Sequence, residues 1–138
     1  MNTVSVIGAK GKEAELAYEV ISWCINKLMP RMRTLDILVS FEKIDAFGHC
    51  MEEDGGREFT VTIQKGLPIQ ELIGTLVHEM IHVKQYARKE LRNVNGRTLW
   101  KKGDFTDVDY ADAPWEKEAY ELEAPLTMEC FMSLKFTL

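Results

Sequence analysis

His78, Glu79 and His82 stand in the order His-Glu-x-x-His. Residues four apart on a helix are neighbours, with Cβ atoms about 5–6 Å apart, so two imidazoles at this spacing can each place a nitrogen about 2.0–2.1 Å from one zinc ion. Glu79 is rotated about 100° from His78 and stands beside such an ion rather than on it, where it can take a proton from water. Catalytic zinc usually takes three protein ligands and leaves one position open, so a further side chain must converge on the pair. The chain has only three histidines and none follows His82, which excludes every pattern with a downstream third histidine. His49 precedes the motif. The other common ligand is a carboxylate, and the best candidates are Glu116 and Glu118 in Pro114-Trp-Glu-Lys-Glu-Ala-Tyr120. They flank a docking stripe of Trp115, Ala119 and Leu122 on opposite sides, so helical phase alone does not choose between them.

The motif needs a helix. Pro68 after Gly66 opens one, and the periodicity carries it to about Leu91. Ile69, Leu72, Ile73, Leu76, Met80, Val83 and Ala87 form one apolar stripe, and His78 and His82 fall nearly opposite it. Val77 and Ile81 lie beside the histidine face, so that side also packs against another element. Upstream, apolar residues from Leu16 to Leu28 recur at helical spacing, predicting a helix from about Lys12 to Met29 that Pro30 ends. Leu35–Phe41, Phe47–Glu52 and Arg57–Gln64 are rich in β-branched or aromatic residues. The last two read as a hairpin across Asp54-Gly55-Gly56. Asn93–Ala113 is polar and reads as a loop with one short hairpin through Thr98 to Thr106, long enough to suggest a functional segment. A last helix starts at Pro114, runs through Glu123, and is kinked or interrupted at Pro125 before a final helical segment to about Leu134.

The whole chain bounds these readings. Its 138 residues fit one domain, residues 1–138, with 46% hydrophobic and 28% charged residues. A chain of this size needs no metal or disulfide merely to fold, so a metal here is expected to serve a function. A net charge of −5 disfavours sequence-independent nucleic-acid binding, and Lys84, Arg88, Lys89 and Arg92 read as a solvated helix face. Cys24, Cys50 and Cys130 are widely spaced and odd in number, which argues against a disulfide framework or a thiolate cluster. The N-terminal residues have no apolar core of a leader and no stretch approaches a membrane span, so cytoplasmic residence is the expectation. Nothing in the pattern sets an oligomeric state.

From about Leu35 to Glu123 the chain resembles the small gluzincin-like, or zincin-like, peptidase domains of bacteria and phages, in which His-Glu-x-x-His is followed by a helix carrying a zinc-binding glutamate. HEMIH and PWEKEAY carry the resemblance. It implies an α+β, zincin-like fold with an N-terminal helix, a small, mostly antiparallel sheet with a β-hairpin, a central motif helix and a C-terminal glutamate helix. It also implies zinc-dependent hydrolysis of peptide bonds, with one Zn2+ on His78, His82 and Glu116, and Glu79 as general base. Larger gluzincins commonly carry Glu-x-x-x-Asp at the third ligand; matched from Glu116, Tyr120 stands where that Asp would be, and this match selects Glu116 over Glu118. Tyr110 or His49 can steady the developing oxyanion. A peptide or protein substrate can align along an exposed hairpin edge, either Phe47–Glu52 or Arg57–Gln64. The rival is a catalytically silent zinc-binding interaction or regulatory module, and intact Glu79 favours hydrolysis over it. A protease acting on nucleic-acid-bound proteins, as in SprT-like domains, is disfavoured by the acidic balance and the missing third histidine.

Overall fold

The computed structural model describes residues 1–134. Its class is α+β, and it begins with a strand, β1 (Thr3–Ile7), that crosses through helix α1 (Gly11–Leu28) to β2 (Asp36–Glu42). A hairpin, β3 (Gly48–Asp54) and β4 (Glu58–Gln64), leads into helix α2 (Ile69–Ala87). Three short strands, β5 (Leu91–Val94), β6 (Arg97–Trp100) and β7 (Gly103–Asp104), precede a single 3-10 turn at Tyr110–Asp112 and helix α3 (Pro114–Leu134).

The main sheet has the order β1-β2-β4-β3. Its β1·β2 and β2·β4 pairings are parallel and only β3·β4 is antiparallel, which corrects the expected mostly antiparallel sheet. Three things hide this in the sequence. Thr3–Ile7 is a short alternating run whose strand is completed only by its partner Asp36–Ser40, and β4 inserts between β2 and β3 rather than beside β3 alone. The sheet also alternates apolar-in and polar-out, a pattern typical of antiparallel sheets with one wet face. Val39, Val61 and Cys50 share the face that packs on the helices, while Ser40, Thr62 and His49 share the other. The core lies between that inner face and α1, α2 and α3, with Val20, Ile21, Ile37, Val61, Ile73, Leu76 and Met80 buried.

Helix α2 stops at Ala87, short of the expected Leu91, because Lys89 takes a left-handed conformation (φ 61) and turns the chain into β5. The polar segment after it is a three-stranded antiparallel meander rather than a loop with one hairpin. Asn95-Gly96, both at positive φ, makes the tight turn that joins β5 to β6. Trp100 of β6 packs against Trp115 of α3, with ring centroids 6.4 Å apart, and this ties the meander to the start of α3. Helix α3 runs through Pro125 as one element, so of the expected kink or interruption there the interruption does not occur. The proline removes one backbone donor, but Ala119 before it and Leu126 and Cys130 after it are all buried, so both halves dock on one surface. No described helix is long and apolar enough to cross a membrane.

Candidate metal centre

Helix α2 is buried on nearly all sides from Leu72 to Gln85, covered by the sheet and α1 on one flank and α3 on the other. Close approach of β3 to α2 rests on Gly48, where a Cβ would lie 2.8 Å from Thr75 Cγ2. Ala119, fully buried, allows the same closeness between α3 and α2.

Into the seam between α2 and α3 project His78, His82 and Glu116. His78 Nε2 lies 3.4 Å from Glu116 Oε1, and His82 Nε2 lies 3.2 Å from Glu116 Oε2. One ligand atom from each of the three residues falls within 4.8 Å of the others, so this group could hold a metal ion. Glu118 is not part of it. Its carboxylate accepts from Lys84 Nζ at 3.0 Å and from Gln85 Nε2 at 3.1 Å, on the other side of α3. Lys84 is thereby buried and paired with both Glu118 and Glu90, which corrects its reading as part of a solvated face. His49 borders the same cleft but is not one of the three: from β3 it pairs with Thr62 and is exposed, and it is not grouped with His78, His82 and Glu116.

The remaining ring nitrogens are held from behind. His78 Nδ1 lies 2.8 Å from Glu123 Oε1, and His82 Nδ1 lies 2.8 Å from Gln85 Oε1. Donation from each Nδ1–H to these acceptors would leave Nε2, the ring nitrogen nearer Glu116, as the atom available to a metal ion. Gln85 is fully buried and its amide nitrogen donates to the Trp115 carbonyl at 3.0 Å, so the same side chain orients His82 and anchors the first turn of α3. Glu123 is one helical turn beyond Tyr120, the position where larger gluzincins commonly carry an aspartate. Tyr120 instead lays its ring beside His78, centroids 4.8 Å apart.

The site is electrostatically strained in a way that suits a cation. Burial disfavours the charged forms of His78 and His82, but the surrounding carboxylates, Glu116 first, outweigh it and raise both above their ordinary 6.5. Burial likewise works against ionised Glu116, yet the two histidines hold it down to about 2. Glu79 goes the other way: buried against β3 and raised above the ordinary carboxylate value by burial, it is only partly relieved by His82 and His78. Tyr110 places its hydroxyl 3.2 Å from Glu116 Oε1 and 3.1 Å from the Tyr120 hydroxyl. Burial, Tyr120 and Glu116 push its phenol up, so it stays a donor.

These side chains line two adjoining cavities of about 190 and 390 Å³ that share Gly48, His78, Glu79 and Tyr110. Cys50 borders the smaller one, with its thiol pushed up by burial and then by Glu79 and Glu52. The sequence reading had not assigned roles to Gln85, Glu123, Tyr120 or Cys50. Gln85 at three residues from His82, and Glu123 at seven from Glu116, share helical faces with the ligands, which is the signal that points to them. Comparisons with protein families, characterised proteins and solved structures found no match to this chain, so the geometry alone bears on function.

Proposed function

We propose that the chain is a zinc-dependent metallopeptidase of zincin-like type, with His78, His82 and Glu116 as ligands and Glu79 as general base. The observation that carries this is the spacing of the three ligand side chains with Glu79 beside them. One ligand atom from each residue lies within 4.8 Å of the others, and the two histidine Nε2 atoms sit 3.4 and 3.2 Å from the two oxygens of the same Glu116 carboxylate, a grouping that small side-chain shifts would bring to about 2.0–2.1 Å from one zinc ion. The donor set of two neutral imidazoles and one carboxylate, each imidazole backed by a hydrogen-bond acceptor, fits zinc and leaves a position open.

A bound zinc ion would supply a Lewis acid that polarises the scissile carbonyl and acidifies water at the open position. Glu79 takes the water proton and passes it to the leaving amine, and its raised affinity for a proton suits a group that must hold one between the two steps. Tyr110 can donate to the oxygen that gains charge, since its hydroxyl already reaches Glu116. Of the two hairpin strands, β3 is at the edge of the sheet and β4 is paired on both sides. A peptide therefore adds along β3, whose Gly48 and Cys50 border the cleft.

The deciding experiment is metal analysis of purified protein coupled to a peptide-library cleavage assay, with Glu79→Gln as control. One equivalent of zinc and cleavage that falls about 10²–10⁴-fold in Glu79→Gln, with fold and metal content retained, is expected. Full activity in that variant would remove Glu79 from its role. Zinc retention without cleavage of any peptide would favour the silent zinc-binding module instead.

A further inference from the structure

We propose that the free edge of β1 is a self-association surface, and that its partner is the same strand of a second copy of this chain, paired antiparallel about a two-fold axis at Ser5. The main sheet has two open edges, β1 and β3, and they are built differently. β3 ends in Glu52, Glu53 and Asp54 and shifts register between Glu52 and Asp54, the charges and irregularity that leave only its first half open to another strand. β1 reads Thr-Val-Ser-Val-Ile: it has no charge and no proline, and its register with β2 is unbroken from Thr3 to Ile7. An edge of this kind is a template for a further strand.

The groups it offers follow from its pairing with β2. The Thr3 amide donates to the Leu35 carbonyl at 2.8 Å, so Thr3, and by alternation Ser5 and Ile7, turn their backbone groups toward β2. Val4 and Val6 turn theirs outward, where no described strand meets them. The strand is close to palindromic about Ser5, with a valine on each side and a β-branched residue, Thr3 or Ile7, beyond. A two-fold axis at Ser5 therefore sets Val4 against Val6 of the second copy, a pair that exchanges both backbone hydrogen bonds. It sets Ser5 against Ser5 as the closer pair without such bonds, Cα atoms about 4.5 Å apart. Thr3 then meets Ile7, whose side chain is otherwise 52% exposed. Because the contact is isologous it closes at two copies and does not grow into a fibre. The metal clefts border β3 at the opposite edge and stay open in both copies, so the pairing stands or falls apart from the peptidase reading. With five residues a side, the contact is small against the roughly 1,000 Å² of a stable interface, which puts association in the micromolar range.

The test is sedimentation velocity of the full chain from low to high micromolar concentration, where a monomer should pass into a species of twice its mass. Ser5→Lys and Ser5→Glu, at an exposed position, each set like charges against one another across the axis. Either alone should raise the dissociation constant about tenfold or more, with the melting temperature in dilute solution unchanged. An equimolar mixture of the two variants should restore the dimer. Ser5→Cys treated with glutathione disulfide should give an interchain disulfide, the two thiols losing two protons and two electrons as the reagent is reduced to glutathione. Cys24 and Cys130 are buried and Cys50 is half-buried, so the wild-type chain gives the background. Thr3→Cys should cross-link to Ile7→Cys and not to itself. Should a charge variant unfold, the cysteine pairs decide alone. A chain that stays monomeric throughout, a dimer indifferent to both Ser5 charges, or a Thr3→Cys chain that cross-links to itself overturns the pairing.

Discussion

Helix α2 has two buried faces that meet different demands. Toward the core it offers Leu72, Leu76, Met80 and Val83, which need only to fill space and leave water. Toward α3 and the cleft it offers His78, Glu79, His82, Lys84 and Gln85, which are as dry but carry groups that must each find a partner. Glu123, Gln85, Glu118 and Glu90 supply those partners for the histidines and Lys84. Both faces are buried, yet one holds the molecule together and the other holds a set of atoms in place. A buried polar cluster whose histidines, lysine and glutamine are all paired is costly to assemble and rigid once made, which is what a metal site requires.

The comparison breaks first on the apolar face. Leu76→Ala should cost about 2–5 kcal/mol in chemical denaturation, while metal affinity measured well below the unfolding transition stays near wild type. If it weakened the metal as much as a change on the polar face does, the division of labour would be false. Gln85→Met, close in volume but without hydrogen bonds, should do the reverse: metal affinity by chelator competition falls about 10–100-fold, with a smaller loss of stability.

A subtler separation comes from pH. His78 and His82 are raised above 6.5, so in protein stripped of metal they contribute stability that is full below that value and disappears as pH rises through their raised values. Glu116, held down to about 2, contributes stability present above the ordinary 4.5 and lost only as pH falls toward 2. Metal needs the histidines neutral, so its binding strengthens as pH rises. Melting temperature should therefore fall with pH in this window after chelation and rise with pH in excess zinc; parallel trends would disprove the shared site. The smallest effect is expected at His49→Ala, at the cleft border but outside the ligand group, which should leave metal content and cleavage unchanged.

Much of the site was legible because its spacing is local. His78, Glu79 and His82 lie within about one helical turn, where chain geometry alone sets their relation. The apolar stripe of α2 and the flanking Val77 and Ile81 also announced a helix covered on both sides. The choice between Glu116 and Glu118 was different in kind. Periodicity left both open, the resemblance to gluzincins favoured Glu116, and only the docking of α3 on α2, with the Gln85 amide on the Trp115 carbonyl, turned Glu116 to the histidines and Glu118 to Lys84. The Asn95-Gly96 turn was visible, but which strands it joined was not, because β5 is a strand only through its pairing with β6.

By itself, then, the sequence determined the helices, the hairpin and the histidine–glutamate–histidine set, all properties of residues within a few positions of one another. Tertiary structure alone decided that β1 and β2 run parallel, that β3 rather than β4 is the free edge, and that Glu123 rather than residue 120 stands behind His78. Those outcomes depend on which distant segments bury one another's apolar faces most completely, and no local pattern carries that competition.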